Sequence, residues 1–511
     1  MTEKRKVILF GVDGGTWRVI ESLSADGKLP HFTEFMREGA YGVLYSTYPP
    51  YTLPAWTSIF TGVNPAKHGI TDFTVRIGNE YKLCTARYRE VDTMWRISAE
   101  AGKKIILVND PVSYPPEPIG LHITGFLTPP SSKRYTYPEN LKDELDRVAG
   151  GYYPEVRQRY YRWLKTDRQK AYDALSEYSK KVAEATIHLL RNYPWDAAGT
   201  VFTSTDRLQH YFWGMNNYLE QHYREIDTYL GWVLDIASRE EADVIIVSDH
   251  GFRGVKTMFY VNSLLYEHGY IETEKETIAT KGLRKAGISR KALLKRLKRH
   301  ETILKILRRL LPKTLKKTIP TDGKRINTEK SKAFVLTDTG VFLNHEILNN
   351  VEERERVIND ITQLLTSSGF VKNCVKAEQV IEGPMLRRAP DIFMILEEGV
   401  KTSLELHPSI VSSPTPTNGI NGDHEHEGIF LAYGPRVEKA GRLSYSLSVY
   451  DIAPTILSLL GVGVPSYCDG KPIARVFRDL TYKKLEVGHA TLYRDRLRRS
   501  ISRVRERAFR K

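Results

Sequence analysis

Six short apolar runs restrict the fold of this chain more than any other feature. They are Val7–Asp13, Lys104–Val108, Ala198–Thr203, Asp243–Ser248, Asp391–Leu396 and Gly428–Ala432. Runs of this length and composition read as strands buried on both faces, and helical patterns lie between several of them. Such alternation predicts an α/β fold built on a doubly wound, mostly parallel sheet, in which ligands collect beyond the carboxyl ends of the strands. Asp13 stands at the end of the first run, in Phe10-Gly-Val-Asp-Gly-Gly15.

Two stretches interrupt the alternation. Residues 130–195 are rich in Tyr and Arg and carry a long helical pattern from Tyr172 to Arg191, which predicts a helical cap beside the sheet. Residues 270–325 are basic and helix-prone, with leucines and isoleucines from Leu293 to Leu311 forming an apolar stripe that Pro312 should end. A shorter basic helix is expected from Leu492 to Lys511. With 511 residues, 41% hydrophobic and 27% charged, the chain has the balance of a folded protein with a sizeable core.

The net charge of +15 is segmental. Residues 281–319 hold fifteen lysines and arginines against one acid, and 483–511 hold eleven against three, so the remainder is mildly acidic. Segment 281–319 has two readings: a solvated insertion whose apolar stripe packs on the core, or a peripheral contact with an anionic membrane surface. A nucleic-acid partner is not expected, because no recognisable nucleic-acid fold accompanies the charge. The first apolar run is too short for a signal sequence or a membrane span, and Cys84, Cys374 and Cys468 are odd in number and far apart. A reducing, cytoplasmic setting is the expectation.

Four segments gather the carboxylates and imidazoles that metal chemistry requires, each beside a predicted strand. Asp13 alone has a bland alternative as a turn or N-cap residue. In Thr203-Ser-Thr-Asp206-Arg-Leu-Gln-His210 the acid and the imidazole share one helical face, as ligands of one ion or as a surface pair. Val247-Ser-Asp249-His250-Gly follows a strongly apolar run, and Asn421-Gly-Asp-His424-Glu-His426 precedes another. A fifth segment, Thr52-Leu-Pro-Ala-Trp-Thr-Ser-Ile-Phe-Thr-Gly-Val-Asn-Pro-Ala-Lys-His68-Gly-Ile70, offers a threonine hydroxyl that a divalent cation could activate as a nucleophile.

In this order, the motifs resemble the alkaline phosphatase superfamily, and within it the type I phosphodiesterase and nucleotide pyrophosphatase group with its phosphohydrolase and phosphomutase relatives. The resemblance covers about residues 5–125, 196–265 and 330–475. It implies an alkaline phosphatase-like catalytic domain over 1–480, with insertions at about 130–195 and 270–325 and a basic tail over 481–511. It also implies two divalent metal ions, with zinc the better fit and manganese the alternative. Asp13, Thr52, Asp249 and His250 would hold one ion, and Asp206, His210 and His424 the other. Thr52 would be the nucleophile of a double displacement through a phosphothreonine intermediate, acting on a small phosphate ester, with diesters preferred. Monoester hydrolysis, phosphomutase activity and a non-catalytic phosphate-binding role are the alternatives.

One position departs from the family pattern. Nucleotide pyrophosphatases commonly carry an Asn three residues after the Ile of His-Gly-Ile, as a donor to a phosphoryl oxygen, and here that position is Phe73. Lys256 and Arg207 are the candidates to replace that donor at the substrate. His426 and His68 are expected to support the loops rather than to bind metal. Cys84-Thr-Ala-Arg87 does not match the Cys-x-Pro-x-Arg motif of sulfatases.

Overall fold

A computed structural model describes residues 5–77, 80–156, 159–274, 325–414, 420–480 and 482–486. The chain divides into two compact units: Met1–Lys256 with Ala377–Ala389 and Pro414–Lys511, and Thr257–Lys376 with Pro390–Ser413. The predicted helices over 281–319 and 492–511 lie outside the described residues, as does any membrane contact made through the first of them.

The first unit is built on a ten-stranded sheet. Its strands are β1 (Lys6–Val12), β2 (Ala40–Tyr45), β3 (Ile105–Asp110), β4 (Leu121–Thr124), β5 (Thr136–Tyr137), β6 (Ala197–Phe202), β7 (Ala242–Val247), β8 (Glu427–Tyr433), β9 (Gly441–Arg442) and β10 (Leu447–Ser448). Their order is β9-β2-β8-β7-β1-β6-β3-β4-β5, with β10 paired to β2. The centre is parallel: β1 runs between β6 and β7, and β3 joins β6 and β4 in the same sense. β8 enters antiparallel between β7 and β2.

Alternate residues of a strand face opposite sides, and β1 shows why its run is almost wholly apolar. Ile8, Phe10 and Val12 enter one core with Phe32, Phe35, Tyr178 and Tyr223. Val7 and Leu9 enter the other, with Trp56, Trp95 and Ile456. Gly11 lets the indole of Trp56 approach β1 closely, since a Cβ there would sit 2.5 Å from the ring. The register of β1 against β6 pairs Val12 with Phe202, so both strands end at one level, and β7 ends beside them with Val247 opposite Gly11.

The 130–195 stretch is helical, as its pattern predicts, with Leu141–Val148, Arg159–Trp163 and Arg168–Asn192. The long helix begins four residues before the predicted start, because the Asp167 side chain caps it by accepting from Lys170 N. It buries a face from Ala171 to Leu190 against the sheet, where Ser179 and Thr186 meet Ser204 and Thr200 at 2.9 and 3.0 Å.

The second unit corrects one expectation. The run at Asp391–Leu396 forms the strand Ile392–Leu396, but in an antiparallel sheet with Gly340–Leu343 and Val371–Lys376 rather than in the doubly wound sheet. An apolar run reports burial, not strand direction or sheet membership. Here the short turn between Ala333–Thr337 and Gly340–Leu343 allows only a hairpin, which sets the antiparallel sense that Ile392–Leu396 extends.

One buried ion pair ties the strand starts together. Asp243, fully buried in β7, accepts from Arg436 N at 3.1 Å and from Arg436 Nε at 2.6 Å, and Arg436 Nη2 donates to Lys6 O at 2.8 Å. Arg436→Met should strand the carboxylate and lower unfolding stability by about 3–5 kcal/mol. Adding Asp243→Asn should recover part of the loss. An unchanged urea midpoint in Arg436→Met would contradict this account.

Candidate active site

The carboxyl ends of β1, β6 and β7 meet at one edge of the sheet, and the side chains that follow them converge. Asp13 directly follows β1. Asp249 and His250 follow β7 after Ser248. Thr203 follows β6 and leads into the helix Ser204–Phe212, whose first turn carries Asp206 and whose last carries His210. A two-stranded ribbon, Gly251–Gly254 against Gly422–Glu425, pairs Phe252 with His424 and brings that imidazole over the same edge. Thr52 opens the helix Thr52–Thr61, after Tyr51 in extended backbone.

The inner part of this cluster is closed to solvent: Asp13, Thr52, Asp249 and His250 are each at most 3% exposed. Asp13 Oδ2 accepts from the indole Nε1 of Trp56 at 3.3 Å, and Asp249 Oδ1 accepts from Gly14 N at 3.1 Å. The other two carboxylate oxygens, Asp13 Oδ1 and Asp249 Oδ2, have no hydrogen-bond partner. They lie 3.7 and 3.2 Å from His250 Nε2, and Thr52 Oγ1 lies 3.5 Å from the same nitrogen.

The outer part is half-buried. Asp206 Oδ1 is 3.1 Å from His424 Nε2 and 3.3 Å from His210 Nε2, and the two imidazole nitrogens are 3.1 Å apart. Each histidine turns its other nitrogen to a main-chain carbonyl: His210 Nδ1 to Gly422 O, His424 Nδ1 to Pro50 O and His250 Nδ1 to Gly251 O, all at 3.0–3.1 Å. A carbonyl only accepts, so each Nδ1 carries a proton and each Nε2 faces the cluster. The unpartnered oxygens of Asp13 and Asp249, both facing His250, repel one another when ionised unless a positive charge stands among them.

The charges respond accordingly. Burial pushes the carboxyls of Asp13 and Asp249 well above the usual range; Asp249 and Asp206 reinforce the effect on Asp13, and Asp206 does so on Asp249. Burial opposes ionisation of Asp206 too, but His210 and His424 hold it well below that range. Burial, with His424 alongside, drives His250 well below the usual imidazole value. Two triads present one donor atom each within 4.8 Å of one another: Asp13, Asp249 and His250, and Asp206, His250 and His424. The donor set fits hard or borderline divalent ions, and His250 faces both triads.

The structure thus brings together all seven residues that the motifs single out as ligands, and it engages Arg207, one of the two expected substrate contacts, with neighbouring side chains. Arg207 is buried and engaged: Nη1 donates to Thr203 Oγ1 at 2.6 Å and to Thr203 O at 3.1 Å, and Nη2 donates to Glu155 at 2.6 Å. Its guanidinium lies 4.7 Å from the centre of the Phe126 ring, which meets Phe73 edge-on. Lys256 is exposed. Phe73 packs in an apolar cluster with Leu53, Ile70 and Val75. His68 is buried, with Nε2 2.9 Å from Ser58 Oγ and Nδ1 accepting from Ile70 N, and burial lowers it to about 3. His426 packs at a tilt against the rings of Tyr48 and Tyr45.

Three contributors carried no signal in the sequence. Trp56 reads as core, and its indole N–H matters only because β1 passes beneath it. Glu155 and Gln209 read as ordinary polar residues until the cap and the Asp206 helix are folded.

Residues 7–426 match the family described as type I phosphodiesterase / nucleotide pyrophosphatase. The chain belongs to that family. It is therefore a phosphoryl hydrolase of the alkaline phosphatase superfamily, and the family to which it belongs is metal-dependent. Among solved structures it resembles phosphonoacetate hydrolase from Sinorhizobium meliloti 1021 in complex with phosphonoformate, at 15% identity over 88% of this chain and 94% of that one, with a TM-score of 0.55. It also resembles human ectonucleotide pyrophosphatase / phosphodiesterase 5, at 13% identity over 93% and 99% of the two chains, with a TM-score of 0.51. The murine counterpart, an inactive form in complex with AMP, gives 13%, the same coverage and 0.52. At these identities the likeness is one of fold. No curated protein matches in sequence. Among the described residues, no helix is long and apolar enough to cross a membrane.

Carboxyls held above their usual range keep protons that an incoming cation must displace. Titrating metal-free protein with Zn²⁺ at pH 7 should therefore release protons, and the affinity should fall as the pH is lowered. Calorimetry in buffers of different ionisation enthalpy reads the release directly; identical heats in all of them would contradict it.

Proposed function

We propose that this chain is a two-ion phosphodiesterase in which Thr52 is the nucleophile and a phosphothreonine is the intermediate. The observation that carries this reading is the position of Thr52 Oγ1: buried and 3.5 Å from His250 Nε2, the nitrogen that also lies 3.7 and 3.2 Å from the two unpartnered carboxylate oxygens. Asp13, Thr52, Asp249 and His250 would hold one ion, and Asp206, His210 and His424 the other, with zinc the better match to this donor set and manganese the alternative. Once bound, two such cations make the threonine alkoxide accessible near neutral pH and offset charge on the attacking and leaving oxygens.

The chain's own groups do the rest. Thr52 stands in the first turn of its helix, where the positive end of the helix dipole favours an alkoxide. Its oxygen bonds to phosphorus as the bond to the leaving alkoxide breaks, and the alkoxide leaves as an alcohol after taking up a proton. Water then attacks the phosphothreonine, returning the hydroxyl to Thr52 and releasing the phosphomonoester product. Trp56 and Gly14 hold the outer oxygens of Asp13 and Asp249, so both carboxylates keep their remaining oxygens turned inward. The imidazoles of His210, His250 and His424 are locked by main-chain carbonyls and need no reorganisation during the reaction.

The preference for diesters rests on charge. Arg207, the cation that bears on Asp13, is paired with Glu155, and Phe73 offers no hydrogen-bond donor. A monoanionic diester asks less of such a site than a dianionic monoester. The substrate is taken to be a small phosphate ester; a membrane contact through 281–319 and a cytoplasmic setting remain expectations of the sequence.

Thr52→Ala should lower turnover by about 10³-fold or more while leaving two ions per chain. Wild-type protein loaded with Zn²⁺ or Mn²⁺ should cleave bis-p-nitrophenyl phosphate faster than p-nitrophenyl phosphate. Full activity in Thr52→Ala would remove the nucleophile role, and a monoester preference would overturn the diesterase reading.

A further inference from the structure

Gln209 is wholly buried on the helix Ser204–Phe212, between Asp206 and His210. Both ends of its amide are committed. Nε2 donates to Gly14 O at 2.8 Å, and Oε1 accepts from the Tyr223 hydroxyl at 2.9 Å. Tyr223 is fully buried, which pushes its phenol well above the usual range, so the hydroxyl keeps its proton and fixes which end of the amide faces Gly14. Gly14 passes the connection on: its own N–H donates to Asp249 Oδ1, leaving Oδ2 turned toward His250. The residue sits at φ +67°, a left-handed conformation natural to glycine, with its carbonyl on the helix side and its N–H on the Asp249 side.

The path therefore runs Tyr223, Gln209, Gly14, Asp249, through hydrogen bonds of 2.9, 2.8 and 3.1 Å. At one end is the helix that carries Asp206 and His210; at the other is a carboxylate of the inner triad. Trp56, on a different helix, orients Asp13 separately, so this path is specific to Asp249. An apolar side chain of the same length would fill the space at 209 and break both bonds.

We propose that Gln209 is a positioning residue that couples the two halves of the site, so that ordering of the outer half by an ion sets the Asp249 carboxylate for an ion in the inner half. This inference rests on the two-ion reading above. Movement of the Asp206 helix shifts Gly14 through the Gln209 amide, and Gly14 shifts Asp249. Without Gln209, each half keeps its side chains, including His250 that faces both, but this path to Asp249 is lost.

The test is a calorimetric cycle on the full-length protein with Mn²⁺ alone at fixed pH, using wild type, His424→Ala, Gln209→Met and the double variant. The quantity read is the ratio of inner-half affinity with the outer half intact to that with the outer half disabled by His424→Ala. Repulsion between two cations is common to both backgrounds and cancels in the cycle. Coupling between sites commonly amounts to 5–150-fold, and the ratio should fall about tenfold in Gln209→Met. A residue that only filled space would weaken both halves alike and leave the ratio unchanged. Tyr223→Phe removes the donor that orients the amide, together with the hydroxyl's contact with the Thr16 backbone; it should lower the ratio part of the way, and it serves if Gln209→Met does not fold. Equal ratios in wild type and both variants overturn the proposal. Fewer than two ions per wild-type chain overturn the two-ion reading, and the coupling with it.

Discussion

Two carboxylate oxygens without partners, Asp13 Oδ1 and Asp249 Oδ2, define what this fold has to accommodate. Burying ionised carboxylates side by side costs several kcal/mol each unless an opposite charge arrives. The surroundings supply little of it. Arg207 is taken by Glu155, and burial drives His250, the imidazole that faces both oxygens, well below its usual value. The frame around them is correspondingly stiff. β1, β6 and β7 end level with one another in the middle of a ten-stranded sheet, with apolar cores on both faces. Such a sheet holds like charges together that a looser scaffold would let drift apart.

Support for the ligands comes from groups with no freedom to adapt. Main-chain carbonyls of residues 50, 251 and 422 fix the three imidazoles, and an indole and a glycine N–H fix the two carboxylates. The outer half is more open than the inner one, with the side chains of His210, Asp206 and His424 21%, 14% and 9% exposed. The helical stretch over 130–195 touches this half: Tyr160 of its short helix donates to Arg207 O, and Glu155 holds the Arg207 side chain. Through Arg207, the residue next to Asp206, that stretch is tied to the helix that carries two of the outer side chains.

The central strands were legible because burial on both faces leaves an unmistakable apolar run, and β1, β3, β6 and β7 fall within a residue or two of their patterns. What the pattern lacked was direction. The Gly428–Ala432 run belongs to the large sheet but lies antiparallel, and the Asp391–Leu396 run lies in a different sheet, because strand sense is set by connections and partners that a local window does not contain. The clustered acids and histidines were legible through motif order. Trp56, Glu155 and Gln209 were not, since an indole N–H, a surface-looking acid and a helical glutamine acquire meaning only from what other segments place against them. Arg207 shows the converse: a cation beside a ligand motif reads as a substrate contact, and the folded chain spends it on Glu155, Thr203 and Phe126.

The ribbon that pairs Gly251–Gly254 with Gly422–Glu425 has a consequence for how the protein is made. His424 reaches the cluster only through this late pairing, more than 400 residues after Asp13 in the chain. While the polypeptide is still being synthesised, the first carboxylates and the threonine can emerge and begin to fold, but the outer triad stays incomplete until the last imidazole has left the ribosome. Nascent chains and truncated products therefore lack the finished cluster of carboxylates and imidazoles, which is complete only in molecules translated nearly to their end.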